Sequence, residues 1–420
     1  MRRSKFNVRL PLKELFDHLR KTLLSNDYIY GVNALWKSWR LKNKVGKLSK
    51  FYERKIKEDN YTYSLPAALE QLKKSKEYNA FNSRRSEKVN ILWVGANKDQ
   101  DEAGFLQALH NIGEVHEFSN VYGSYGLWYR DELGEVRVYD KAIIALNDSQ
   151  LISTVSLLHA ERRIDLVMGQ MWANYVSAEC LRKIQDMGIL VINISMDDRL
   201  PENWSYKSGC RLGSIGLATG LNFVLTTSSE CCEWYGVEGV PAMYWPLASD
   251  ATTFAPNVNQ IRDIDVLFIG NRYGVRGRII AELSGFGINV TCYGAGWDNG
   301  PATAEQSSML FKRAKIILGI GTIGHCEDLF TMKLRDFDAP MSGALYITHR
   351  TPDLSNLYKE GREIECYSTV EEAAEKIAFY LKNSDARQLI GMNGLKKALS
   401  RDTWNKRLSD TFSTLGLTPN

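Results

Sequence analysis

The sequence predicts an α/β protein of two tandem doubly wound domains facing each other across a cleft, preceded by a basic helical extension. Three observations carry this. From Val89 onward short apolar runs alternate with helical periods, the pattern of parallel βαβ units. That alternation breaks once, around Pro256, and then restarts. Charge is also divided: residues 1–88 hold 22 Lys and Arg against 9 Asp and Glu, and the rest of the chain holds 31 against 40.

The 420 residues are 44% hydrophobic and 24% charged, with 32 Gly and 10 Pro, the composition of folded globular domains. At about 150 residues per domain this length allows two to three. No apolar run approaches the roughly 20 residues of a membrane-spanning helix. The basic start at Met1–Lys5 leads into no apolar core, so no signal peptide is expected. The seven cysteines, at 180, 210, 231, 232, 292, 326 and 366, include no C-x-x-C pair. They read as reduced thiols of a cytoplasmic protein, with no disulfide or zinc framework.

Within the extension, Leu12, Leu15, Phe16, Leu19 and Leu23 share one helix face, and Val32, Leu35, Trp36 and Trp39 repeat the pattern. From Lys37 to Lys57 bases interleave with Trp39, Leu41, Val45, Leu48, Phe51, Tyr52 and Ile56. Such an element suits an anionic membrane surface, and equally a helix packed on one face and solvated on the other. Nucleic acid is not an expected partner, since only the charge of this segment speaks for it. Asn79–Lys88 reads as a linker.

In the first domain, residues 89–250, strands are predicted at Val89–Val94, Glu114–Phe118, Asp165–Met168, Ile189–Ile194 and Asn222–Thr226. Helices are predicted at Ala103–Ile112, Gln150–Arg162, Ser177–Met187 and Glu230–Tyr235. Residues 251–262 lack periodicity and join the domains. In the second domain, residues 263–400, strands are expected at Asp265–Ile269, Asn289–Tyr293, Lys315–Leu318 and Ala344–Thr348. Helices alternate with them at Arg278–Leu283, Gln306–Ala314 and Phe330–Pro340. Thr369–Leu381 is a further helix, with Ser368 and Glu371 as its capping box. Helices near Ala386–Ala398 and Trp404–Leu415 end the chain; residues 401–420 are set apart as a helix crossing back to the first domain. Ligands of such sheets bind at the carboxyl ends of the strands, where loops expose N–H groups and helix N-termini.

Gly319-Ile-Gly321-Thr-Ile-Gly324 is a G-x-G-x-x-G run after a strand. It neither opens its domain nor is followed by an acid at the end of the next strand, so it is not a dinucleotide fingerprint. A loop admitting another phosphate-bearing ligand, or a structural turn, remains. Arg272, Arg276 and Arg278 flank Gly274 and Gly277 after the strand ending at Gly270, and guanidinium forks match diphosphate oxygens. No metal site is expected: His325, Cys326, Glu327 and Asp328 are neighbours without a second cluster. Met196-Asp197-Asp198 follows a strand, where it can bind a divalent ion or substrate hydroxyls, cap a helix or form a solvated turn.

Four stretches resemble the spore-maturation CgeB-like group of group 1 glycosyltransferases, which have the GT-B fold. Residues 221–230 resemble the strand and helix start before the domain crossing. Tyr244–Asp250 with Phe254 and Pro256 resembles the crossing segment P-x-G-x-D-x-x-x-F-x-P, with Ala248 in place of Gly. Asp265–Gly270 with Arg276 resembles D-V-x-F-x-G-(x)5-R. Leu334–Thr348 resembles L-R-x-F-E-A-x-A-C-G-A-x-x-L-T. The resemblance covers roughly residues 89–415.

This resemblance implies a cytoplasmic glycosyltransferase, peripheral on the inner face of a membrane, that moves sugar from a nucleotide-sugar donor (UDP-, GDP- or another NDP-sugar) to a glycan or lipid-linked acceptor. It implies a metal-independent, retaining reaction with no cofactor. Asp338 takes the place of the acid that binds the donor ribose. Arg272, Arg276, Gly321 and Gly324 are expected at the donor diphosphate, with Gly270, Gly294, His325 and Arg335 around the donor cleft. Phe330 stands where better-known retaining relatives have a Glu for the donor sugar. For the catalytic proton acceptor the first domain offers Asn97, Asp99, Asp101, His116 and Asp197, of which His116 and Asp197 are chosen. The alternative is a GT-B-like binding protein without turnover, held to a membrane or anionic polymer by its basic N-terminus.

Overall fold

The computed structural model describes residues 27–84, 88–129, 140–207, 210–257, 259–324 and 326–418. The apolar period from Leu12 to Leu23, and His325, lie outside them. Three helices come first: α1 (Asp27–Glu58), α2 (Leu65–Lys73) and α3 (Lys76–Ser83). The last falls where a linker was expected, because the Ser75 side chain caps it and Tyr78 and Phe81 are buried.

Strands β1 (Val89–Val94), β2 (Gly113–Glu117), β3 (Leu166–Gly169), β4 (Leu190–Ser195), β5 (Phe223–Thr226) and β6 (Ala242–Tyr244) form the first sheet, ordered β2-β1-β3-β4-β5-β6. All its pairings are parallel. β3, β4 and β5 are buried along their whole length, as continuous apolar runs in a sheet covered on both faces must be. Alternate residues face two cores. Ile91, Trp93, Met168 and Ile192 meet Leu72 of α2 and Phe81 of α3. Leu92, Val94, Val167 and Val191 meet Tyr52 of α1 and helices α4 (Lys141–Arg162), α5 (Ala178–Asp186) and α6 (Cys231–Val237). The N-terminal helices are thus walls of the first domain. Tyr52 stacks on Trp234 at 4.9 Å and donates to Glu238 at 3.0 Å.

The second domain follows with β7 (Ile264–Ile269), α7 (Arg276–Gly285), β8 (Thr291–Tyr293), α8 (Ala304–Arg313) and β9 (Ala314–Leu318). Next come an antiparallel hairpin, β10 (Thr322–Ile323) and β11 (Cys326–Phe330), then α9 (Arg335–Met341), β12 (Leu345–His349) and β13 (Glu365–Tyr367). Its parallel sheet is ordered β8-β7-β9-β12-β13. The helix expected over 330–340 is therefore shorter. Ile323, Cys326 and Leu329 form a small apolar cluster with Leu41 and Val45 of α1, and this burial holds the preceding segment as a hairpin. The edge strands β6 and β13, three residues each, are too short to show a period.

Helix α10 (Val370–Lys382) is capped by Thr369, whose side chain accepts from the Glu372 N–H, and not by Ser368. After α11 (Ser384–Arg401) the chain returns, and α12 (Trp404–Leu415) joins the first-domain core. Trp404 meets Phe105 edge-on at 5.2 Å, and Trp245 Nε1 donates to Thr411 at 2.8 Å. The two crossing segments bond to each other: Ser249 N donates to Asp402 O, and Trp404 N to Ser249 O. No helix among the described residues is long and apolar enough to cross a membrane. Six of the cysteines are buried free thiols.

Candidate functional site

A cleft of about 530 Å³ lies between the domains, where loops following β1 and β4 face loops following β7, β8 and β11. Its second-domain wall is built on arginine. Arg276 opens α7 and is 5% exposed; its Nη1 donates to Asn271 O at 2.9 Å, and its guanidinium lies 4.2 Å from the Tyr273 ring centre. Arg335 opens α9, and its Nε donates to Ile269 O at 2.8 Å. Both guanidinia approach the same ring, Phe268, at 5.6 and 4.6 Å.

Arg276 Nε is buried without a partner. Among the described residues neither arginine forms an ion pair with a carboxylate. Burial, then the neighbouring Arg335, pulls the Arg276 guanidinium down to about 10. Two desolvated cations side by side stabilise an anion between them.

Glycine makes this approach possible. Gly270 has φ +154°, and a Cβ there would lie 2.5 Å from Arg335 Nη2 and 3.2 Å from Arg276 Nη1. Gly294, at φ +135°, packs on Gly270, its own Cβ position being 2.4 Å from Gly270 O. Asp338, one turn beyond Arg335 on α9, also lines the cleft. It accepts from Ser249 Oγ at 2.7 Å. Burial pushes its carboxyl up to about 7, against the opposing pull of Ser249 and Arg335.

Across the cleft, Asp197 follows β4 in a left-handed conformation, φ +58°. Its carboxylate pairs with Lys333 Nζ of the second domain at 2.9 Å. The turn is anchored by Asp198, which is buried and accepts from Ser195 Oγ, Tyr235 OH (2.9 Å) and Thr226 Oγ1 (2.6 Å). Burial lifts the Asp198 carboxyl to about 6. Asn97 and Asp99 line the cleft as well. Asp101 turns inward, accepting from Trp93 Nε1 at 3.0 Å and Tyr125 OH at 2.7 Å.

Other expected residues stand elsewhere. His116 is on the edge strand β2, 3.6 Å from Glu114, and does not line the cleft. Arg272 lies over the Trp297 ring, outside the cleft lining. Gly321 N donates to His349 Nδ1 at 3.2 Å, inside the domain. Gly324, at φ +61°, turns the hairpin, and its carbonyl accepts from Val275 N at 3.1 Å. That carbonyl lies only 1.7 Å from where a Cβ on Gly274 would be. The last glycine of the run thus seats the hairpin on the loop after β7. The Phe330 ring lies 5.3 Å from His349. Ser249 and Lys333 were missed; both meet the site only through the interdomain approach, which no local pattern encodes.

Residues 276–413 match the model of a family described as glycosyl transferase-like. A search of curated protein sequences returns no match. Among solved structures, the fold is similar to sucrose-phosphate synthase from Thermosynechococcus elongatus, with TM-score 0.55, 10% identity and coverage of 78% of this chain and 99% of that one. It is similar to HepE from Anabaena in complex with UDP and glucose, with TM-score 0.54, 12% identity and coverage of 78% and 100%. It is also similar to a glycosyltransferase from Rickettsia africae, with TM-score 0.53, 9% identity and coverage of 78% and 98%. With two parallel sheets opposed across a cleft and a final helix returning to the first domain, the chain has the GT-B fold, and residues 276–413, most of the second domain with the last helix, are similar to a glycosyl transferase-like domain.

Proposed function

We propose that the chain is a glycosyltransferase that moves a sugar from a nucleoside diphosphate sugar to a hydroxyl of a glycan or lipid-linked acceptor, with retention and without a metal ion. The observation that supports this most is the pair Arg276 and Arg335, buried and without carboxylate partners among the described residues, with Asp338 one turn of α9 beyond Arg335. Guanidinium forks suit a diphosphate, and a carboxylate suits the two ribose hydroxyls beside it. The cleft has the volume of small-molecule sites, roughly 300–1,000 Å³. HepE, of similar fold, is seen with UDP-glucose.

In this reading the bond from the sugar's anomeric carbon to the diphosphate oxygen breaks, and its electrons pass to the diphosphate held by Arg276 and Arg335. The acceptor oxygen bonds that carbon from the same face and gives its proton to a donor phosphate oxygen. Fixed cationic donors aimed at the leaving group do the work a metal does elsewhere. Asp197 orients the acceptor hydroxyl once Lys333 turns to the phosphates.

Phe330 favours a second reading, a binding protein without turnover, since its ring offers the donor sugar no hydrogen bond. The two are separated by incubating the protein with UDP-, GDP-, ADP- and dTDP-sugars and measuring release of nucleoside diphosphate, with and without a chelator. Release that ignores the chelator is expected. Tight donor binding with no release, with or without added acceptor extract, would select the binding protein.

A further inference from the structure

Helix α1 has two faces of opposite character. Inward it presents Leu41, Val45, Leu48, Tyr52 and Ile56, spaced at helical turns. The first two pack on the second-domain hairpin and the others on the first-domain core. Outward, the same turns carry Trp36, Trp39 and Phe51, which are 52%, 64% and 41% exposed. Between and beyond them stand Arg40, Lys47, Lys50, Arg54 and Lys57, all exposed. At 1.5 Å per residue this stripe runs for about 30 Å.

Among the described residues, Lys47, Lys50 and Lys57 of the stripe form no ion pair. Lys44 and Lys55, at its margin, pair with Glu202 and Glu238, each at 3.0 Å. The acids on or beside the stripe are Glu53 and Glu58, both exposed; Glu58 lies 3.6 Å from Arg54, a pair worth little in water. Arg40 lies 5.2 Å over the Trp36 ring, and Arg54 6.0 Å from the Phe51 ring, so charge and aromatic surface are presented together.

Amphipathic rings beside long basic side chains match the headgroup region of an anionic bilayer. The rings enter the boundary while the ammonium and guanidinium groups meet lipid phosphates. A groove that takes a helix needs apolar anchors continuing at i+4 and i+7. Here those positions are Arg40 and Asn43 after Trp36, and Asn43 and Gly46 after Trp39, none of them an apolar anchor, so charge rather than shape is what the face offers.

We propose that the outward face of α1 docks the protein on an anionic lipid surface. This stands independently of the sugar-transfer reading. It also differs from a loosely attached basic tail, because the inner face fixes the stripe to both domains.

The test is sedimentation of the full chain with phosphatidylcholine vesicles, with and without phosphatidylserine, at low and high salt. Binding is expected only with phosphatidylserine, and weaker at high salt. Reversing charge in Lys47→Glu, Lys50→Glu and Arg54→Glu together should lower partitioning by roughly a hundredfold or more, since each base contributes about fivefold. The melting temperature and nucleotide binding should not change. Trp36→Phe with Trp39→Phe should still bind, yet lose most quenching by brominated lipid, the other tryptophans being buried or half-buried. Equal binding to neutral vesicles, a triple variant that sediments like the parent, or quenching unchanged by the Trp substitutions would each overturn the proposal. So would retention by duplex DNA, lost in the triple variant, from a protein that ignores both kinds of vesicle.

Discussion

Asp338 is a carboxyl that burial pushes up to about 7. Its ionised form accepts from hydroxyls more strongly than the neutral acid does, so nucleotide affinity should fall as pH drops through about 7. Calorimetry from pH 8 to 5 should show that fall, and Asp338→Asn should bind at least tenfold more weakly at pH 8 with a flat profile. The stability effect has the opposite sense. The unfolded carboxyl titrates near 4, so between about 4 and 7 the folded protein binds more protons, and this group's contribution to stability declines as pH rises. Removing the charge in Asp338→Asn should therefore help the fold more at pH 8 than at pH 5, as urea midpoints would read.

Gly270→Ala places a methyl against both guanidinia in a conformation that disfavours side chains. A loss of about 1–3 kcal/mol is expected, the range for local backbone strain. Nucleotide binding should disappear with it; a variant that binds normally would separate Gly270 from the site. Gly270 and Arg276 were legible because each sits at a strand end or helix start that the alternation marks, whereas Asp338 was named only through the resemblance of Leu334–Thr348 to the family's motif. His116 and the G-x-G-x-x-G run stand outside the cleft lining for the converse reason. His116 stands on an edge strand away from the cleft, and the run's last glycine, Gly324, closely approaches Gly274.

At the scale of elements, α1 holds both domains while its sequence reads only as basic and amphipathic. Tyr52 is its deepest contact, 1% exposed between Trp204 and Trp234. Tyr52→Ala should cost about 3–5 kcal/mol, the range for buried aromatic residues cut to Ala. Denaturant titration checks this, and a loss below about 1 kcal/mol, typical of surface positions, would make α1 an appendage. The hairpin of β10 and β11 shows why local reading failed at 326–330. Ile323, Cys326 and Leu329 gain their burial from Leu41 and Val45, far away in sequence. The long central strands needed no such help, because both of their faces are apolar in the sequence itself.

At the scale of the whole molecule, the two sheets and their order of helices follow from the alternation, but the closeness of the domains does not. Asp197 to Lys333 at 2.9 Å, Arg199 to Asp353 at 3.5 Å and Ser249 to Asp338 at 2.7 Å tie the walls of the cleft together. Two of these contacts involve groups proposed to meet substrate, so ligand binding and domain approach are coupled. The central claim is that the Arg276 and Arg335 pair binds the diphosphate of a nucleotide. Calorimetric titration of wild type and Arg276→Ala with UDP, GDP and the matching free nucleosides tests it most directly. One diphosphate should bind the wild type and lose about 1.5–3 kcal/mol in the variant, the range for hydrogen bonds to charged groups, while the free nucleoside binds both proteins alike. Equal diphosphate affinity in the two proteins, or no nucleotide binding at all, would contradict it.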